Sequence, residues 1–181
     1  MYAFTEKSEI ICFSHVDERS SAFFAVGLAK SSQSPVVLIS TSGTAPANYY
    51  PAIIEASLSR VPIIILSADR PNYLLDTGAN QTIDQQNLYG NHVRCFIDVG
   101  LPKIEFDNLQ RNLEKAFQNA DGSDYQIPPG PVHLNFPFDE PLLPEKLEEI
   151  LIPSFNSNAK PESKINLHFP ILKEAERPLI I

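Results

Sequence analysis

The run VPIIILSAD, residues 61–69, constrains the fold more than any other part of the chain. Ile63, Ile64, Ile65 and Leu66 follow one another with no polar face between them, so an extended segment here needs apolar cover on both sides. A parallel sheet sandwiched between helices supplies that cover, whereas a half-exposed antiparallel strand would alternate. PVVLIS, residues 35–40, is a second run of the same kind. Between them TSGTAPANYYPAIIEASLSR turns through Gly43 into helical spacing, and DERSSAFFAVGLAKSSQ has it too, with Asp17 at the N-cap position. EIICFSHV (9–16), VRCFIDVG (93–100) and GPVHLNFPF (130–138) read as further strands, FDNLQRNLEKAFQNA as a helix, and RPNYLLDTGANQTIDQ as a loop. The alternation predicts an α/β domain with a doubly wound, mostly parallel sheet and helices on both faces.

A 43% hydrophobic content over 181 residues suffices for one full core. The 14 basic residues against 22 acidic ones give a net charge of −8, which argues against a charge-driven grip on nucleic acid or an anionic membrane. Cys12 and Cys95 are far apart, without CxxC or Cys/His spacing, and are expected to be buried thiols in a reducing compartment. Each of the four histidines stands alone, which favours a surface or a satisfied interior position over metal ligation. No apolar run reaches the roughly 18 residues of a membrane span, and no leader pattern opens the chain, so a cytoplasmic protein is expected. From Asp139 the chain turns rich in proline and charge. The expected organisation is one domain over 1–141, a linker over 142–175, and the start of a further, truncated domain at 176–181.

In open parallel sheets ligands bind beyond the carboxyl ends of the strands, which directs attention to three junctions on one rim. The first carries Asp17 and Glu18, the second Thr41-Ser42-Gly43-Thr44-Ala45, the third Asp69-Arg70-Pro71 and the loop running to Gln85. Each has a plain structural reading. Acids in a helix's first turn complement its dipole. TSGTA lacks both GxGxxG and GxxxxGKS, and fits a small-residue turn allowing close backbone approach. Arg70 could pair with Asp69 or Asp76. Spacing alone leaves function open.

Three stretches in register, DERSSAFFAVGLAK, TSGTAPANYYPAIIEASLSRVPIIILSADRP and DTGANQTIDQ, closely resemble the pyrimidine-binding domain of thiamine-diphosphate enzymes. Among those they resemble the 2-succinyl-5-enolpyruvyl-6-hydroxy-3-cyclohexene-1-carboxylate synthase (MenD) family of menaquinone biosynthesis, over about Phe4 to Pro141. The resemblance implies that Glu18 hydrogen-bonds the aminopyrimidine of thiamine diphosphate and so turns the cofactor into its own base, leaving Asp17 as the cap. Burial of that carboxyl against the ring would disfavour its charged form. Gly43 and Thr44 would approach the pyrimidine, with Asn48 as a further polar contact. Arg70, Asn80 and Gln81 would face the acceptor, isochorismate, whose carboxylates suit a guanidinium. The family's reaction decarboxylates 2-oxoglutarate and adds its four-carbon unit to isochorismate. A second subunit of a homodimer or higher homo-oligomer is implied, because the aminopyrimidine and the diphosphate contact different subunits.

Departures from the family pattern set further expectations. By that pattern the first βα unit is expected to be missing here, and nothing matches the segment that holds magnesium (or manganese) and diphosphate. The metal is therefore expected on a domain outside this chain, and the piece alone to be inactive. Thr77 replaces an expected cysteine, and Pro46 an aliphatic residue that could shift the start of its helix. The rival readings are another thiamine-diphosphate enzyme, acetolactate-synthase-like or oxalyl-CoA-decarboxylase-like, and a non-catalytic α/β binding module in which Glu18 is only a cap.

Overall fold

The computed structural model describes residues 10–102, 106–123 and 126–142. In chain order the elements are α1 (Glu18–Ser32), β1 (Val36–Ser40), α2 (Thr44–Asn48), α3 (Tyr50–Leu58), β2 (Ile63–Asp69), β3 (Phe96–Asp98), α4 (Phe106–Asp121) and β4 (Val132–Pro137). Two single-turn 3₁₀ helices, Asn72–Leu74 and Gly90–His92, lie in the long connection from β2 to β3. The four strands are all parallel, in the order β1-β2-β4-β3.

The isoleucine run behaves as its composition demands. Ile63 and Ile65 join a core cluster with Ala22, Ala25, Val26 and Ala29 of α1 and Ala52, Ile53 and Ala56 of α3. Ile64 and Leu66 face the other way, onto a cluster containing Ala116 and Ala120 of α4 with Val132 and Leu134 of β4. Successive residues of one strand thus bury against different helices, the doubly wound arrangement. The alanines of α1 and α3 let those helices pack closely on the sheet and on each other.

Helix starts and stops follow local chemistry. The Asp17 carboxylate accepts the Ser20 N–H at 2.7 Å, capping α1, and Gln33 closes the helix in the left-handed region. The segment expected to enter one helix after Gly43 forms two. Pro51 cannot donate into a continuing helix, but sits favourably in the first turn of α3, and Tyr49 is the joint between them. Pro46 is buried, and its carbonyl accepts the Tyr49 N–H at 3.1 Å and the Tyr89 hydroxyl at 2.7 Å.

Two expectations fail here. Residues 10–16, read as a strand, are not one; Glu9 lies outside the described residues. A strand needs a neighbour for its backbone groups, and among the described residues none pairs with this run. Ile10, Ile11, Phe13 and Val16 are exposed, while the Phe13 and His15 rings lie against Phe24 with centroids 5.1 and 4.9 Å apart. Cys12 is accordingly exposed rather than buried, and Cys95 is half-buried. The expected linker and further domain lie, beyond Leu142, outside the described residues. Among the described residues no helix is long and apolar enough to cross a membrane.

Candidate functional site

Because all four strands are parallel, Ser40, Asp69, Asp98 and Pro137 end on one edge of the sheet. Helix α1 runs back against β1 through the short connection 33–35, which returns its N-terminus to that edge. With Asp17 committed to the cap, the half-buried Glu18 side chain has no hydrogen bond or ion pair among the described residues. Its position shows in its effect on Tyr49, whose hydroxyl donates to the Ile39 carbonyl at 3.0 Å near the end of β1. Burial pushes the Tyr49 phenol up, the Ser40 hydroxyl beside it pulls it back, and the negative charge of Glu18 pushes it up again. Glu18 is therefore near enough to Tyr49, beside the carboxyl end of β1, for its charge to act on that phenol.

The turn after β1 is built around a glycine that tolerates no side chain. Gly43 sits at φ 79°, ψ −135°, and a Cβ there would meet the Gln81 carbonyl oxygen at 2.9 Å. Its N–H donates to Gln85 Oε1 at 2.8 Å. Ser42 Oγ donates to the Gln81 carbonyl at 3.0 Å, and Gln81 Nε2 returns bonds to Thr41 Oγ1 at 2.8 Å and the Ser42 carbonyl at 3.2 Å. The loop around Gln81 and the TSG turn are thus clasped together. Thr44 is exposed, and Asn48 bends its amide back onto the Thr44 carbonyl at 3.0 Å.

Beneath the turn lies a buried polar network that the sequence reading did not single out. Register places Ser67 of β2 opposite Asn135 of β4, and Ile65 opposite His133. Gln85 Nε2 donates to the Ala68 carbonyl at 3.0 Å and to Asn135 Oδ1 at 2.8 Å. Ser67 Oγ donates to the same Asn135 oxygen at 2.8 Å and lies 2.7 Å from His133 Nε2, so His133 Nε2–H is the donor to Ser67. Asn135 Nδ2 then reaches Asp69 Oδ2 at 2.7 Å. That tautomer leaves His133 Nδ1 as a buried lone pair without a partner among the described residues. Burial holds the imidazole neutral, with a pKa of about 4. Burial also raises Asp69, opposed by its bonds from Asn135 and the Arg70 N–H and reinforced by Asp98 and Asp84. The sequence carried part of the signal, polar residues recurring at alternate positions within two otherwise apolar strands, where a buried polar group must find a partner; which partners meet depends on the register.

Across the rim, Arg70 and Asn80 line one open hollow of about 270 Å³ together with Tyr73, Phe138, Asp139 and Glu140. The plain reading of Arg70 as a partner of Asp69 or Asp76 does not hold: among the described residues its guanidinium forms no ion pair, and only its backbone N–H meets Asp69, at 2.7 Å. A neighbouring hollow of about 410 Å³ lies between Pro71, Tyr73, Asp98, Leu101 and Pro137. Of the residues predicted for the site, the structure brings Gly43 to Gln81 and Arg70 to Asn80. It directs the Gln81 and Asn48 amide donors onto the chain itself. Among the described residues no three His, Cys, Asp or Glu side chains gather in a group able to hold a metal.

Residues 1–88 match the thiamine pyrophosphate enzyme N-terminal TPP binding domain, and the parallel α/β fold is consistent with that match. Within that class the chain is similar to 2-succinyl-5-enolpyruvyl-6-hydroxy-3-cyclohexene-1-carboxylate synthases. It is 48% identical to that of Listeria innocua over 155 residues, 85% of this chain and 26% of the relative. To that of Bacillus pumilus it is 55% identical over 130 residues, 72% of this chain and 22% of the relative. To that of Geobacillus kaustophilus it is 44% identical over 184 residues, 93% of this chain and 31% of the relative. The chain spans about a quarter of the length of the curated relatives it matches.

Proposed function

We propose that these residues form the aminopyrimidine-binding side of a synthase that uses 2-oxoglutarate and isochorismate, working in the cytoplasm as part of a homodimer or larger assembly. The single observation that carries the reading is Glu18: a half-buried carboxyl in the first turn of α1, close enough to Tyr49 for its charge to act there, with its own protein partners absent among the described residues. That donor set fits an aminopyrimidine, which offers a ring nitrogen for a carboxyl to hydrogen-bond and a flat face for a small-residue turn. When bound, thiamine diphosphate supplies the electron sink for loss of carbon dioxide from a 2-oxo acid.

The chain's own residues do the rest. Glu18 holds a proton toward the ring nitrogen. Asp17 keeps it there by capping α1, so that the carboxyl one residue later is not drawn onto the helix's own N–H groups. Gly43 brings backbone rather than side chain to the turn, with Thr44 beside it and Asn48 in support. Arg70 receives a carboxylate of the acceptor, with Asn80 and the carbonyl oxygen of Gln81 as polar neighbours. Magnesium or manganese and the diphosphate are held by residues outside this chain, so the chain alone is inactive.

The test is steady-state turnover of an active preparation in which this chain is joined by the diphosphate-binding segment, supplied with 2-oxoglutarate and isochorismate. Arg70→Ala should raise the KM for isochorismate at least ten-fold, while 2-oxoglutarate decarboxylation falls by less than two-fold. Equal loss of both activities, or no change in either, removes Arg70 from the acceptor site.

A further inference from the structure

The hollow that contains Arg70 also contains two acids, Asp139 and Glu140, yet among the described residues the guanidinium is paired with neither. A cation left unpaired beside available carboxylates requires a reason. Asp139 is held elsewhere. Its Oδ1 accepts the Tyr73 hydroxyl at 2.7 Å and the N–H of Glu140 at 2.9 Å. The strap is anchored at its base, because the Phe138 N–H donates to the Asp69 carbonyl at 3.0 Å, tying the segment after β4 to the end of β2. Tyr73 follows Arg70 by three residues, on the 3₁₀ turn Asn72–Leu74, whose Leu74 N–H is held by the Pro71 carbonyl at 2.9 Å. The contact also shows in the phenol itself, which the accepting Asp139 carboxylate raises above the usual tyrosine range.

We propose that Tyr73 is a positioning residue for the acceptor: by holding Asp139, it keeps that carboxylate from neutralising Arg70 and so leaves the guanidinium available to a substrate carboxylate. This deepens the reading of the Arg70 hollow given above and rests on it. The hydroxyl is the only part of the tyrosine the role requires. Without it, Asp139 loses its outward partner and becomes an internal competitor, lining the same hollow as the guanidinium, for the charge-assisted bonds a bound carboxylate would make. Tyr73 itself touches no reacting atom, and its exposed ring has little packing to lose.

The role separates cleanly from a structural one through a double substitution. In the active assembly, Tyr73→Phe should raise the KM for isochorismate about two- to five-fold, the range an exposed ion pair supports, with kcat at saturating acceptor within two-fold of wild type. Adding Asp139→Asn, which removes the competing charge, should bring the KM of the double variant back to the wild-type value. A Tyr73→Phe variant with unchanged KM overturns the proposal, and so does a raised KM that Asp139→Asn fails to restore, since lost packing is not repaired at a second residue. Arg70→Ala run alongside distinguishes the two levels. If it leaves the KM unchanged, the acceptor reading fails and this proposal with it; if it raises the KM while Tyr73→Phe does not, only the positioning role is lost. Ultraviolet titration of the phenol in wild type and Asp139→Asn tests the contact without substrate. A high-titrating tyrosine that returns to the ordinary range in the variant supports it, and identical titrations overturn it.

Discussion

The two sides of the rim are built on different principles. On the Gly43 side, the turn is clasped from above by Gln81 and from below by Gln85, which in turn bonds Asn135 and through it Ser67, His133 and Asp69. On the Arg70 side, Arg70 and Asn80 line an open hollow whose other lining residues, Pro71 apart, are exposed or half-buried. The first arrangement fixes backbone to within the tolerance of a few buried hydrogen bonds. The second leaves side chains free to meet a ligand. The contrast suits a site in which one component stays resident and the other arrives and leaves: the resident group gains from pre-organisation, while an incoming anion needs access and an unpaired cation.

The contrast breaks most sharply at Gly43. An alanine there would hold a strained conformation and press its Cβ on the Gln81 backbone, so Gly43→Ala should destabilise the folded protein by about 3 kcal/mol, read from the denaturant midpoint at constant slope. The network below the turn gives a second test, through pH. Unfolded His133 titrates near the ordinary 6.5 and the folded residue near 4, so between those values the unfolded chain binds the extra proton. Stability present above pH 6.5 is therefore lost as the pH falls toward 4, by about 2 kcal/mol between pH 7 and pH 5. Asp69 acts in the opposite sense: its raised carboxyl takes up a proton in the fold before it would in the unfolded chain, so acid returns part of the loss just above the ordinary aspartate range. Denaturation curves at pH 7 and 5 should show the drop in wild type and a much flatter response in His133→Gln. Arg70→Ala, on the open side, should change stability by no more than about 0.5 kcal/mol, which the same curves measure, in contrast to the large effect on acceptor use proposed for it.

How far the sequence disclosed these features depends on whether their cause was local. The β2 run, the Asp17 cap and the order of strands and helices follow from period, composition and one capping residue, and they were legible. The absence of a strand at residues 10–16 was not, because an apolar β-type run reads the same whether or not a neighbour is there to pair with it. The break at Tyr49 was written in Pro51, but weighed against a long stretch of helical spacing. At the site, Gly43 and Arg70 were visible as residue types at strand ends. The Gln85–Asn135–Ser67–His133 network was not, because it depends on the register that sets β2 beside β4, and those partners are 66 or more positions apart or reach in from a loop. Tyr73 and Asp139 meet for the same non-local reason.

The central claim is that Glu18 delivers a proton-sharing contact to the cofactor ring rather than merely dressing the start of α1. It is tested most directly by the rate at which the C2 proton of bound thiamine diphosphate exchanges with deuterium, followed by NMR in the complete assembly for wild type and Glu18→Gln. The amide keeps the size and the helix start, but cannot share the proton, so the account predicts exchange slowed by about 100-fold or more with cofactor affinity within ten-fold. Exchange at the wild-type rate in Glu18→Gln, with cofactor bound, would contradict it.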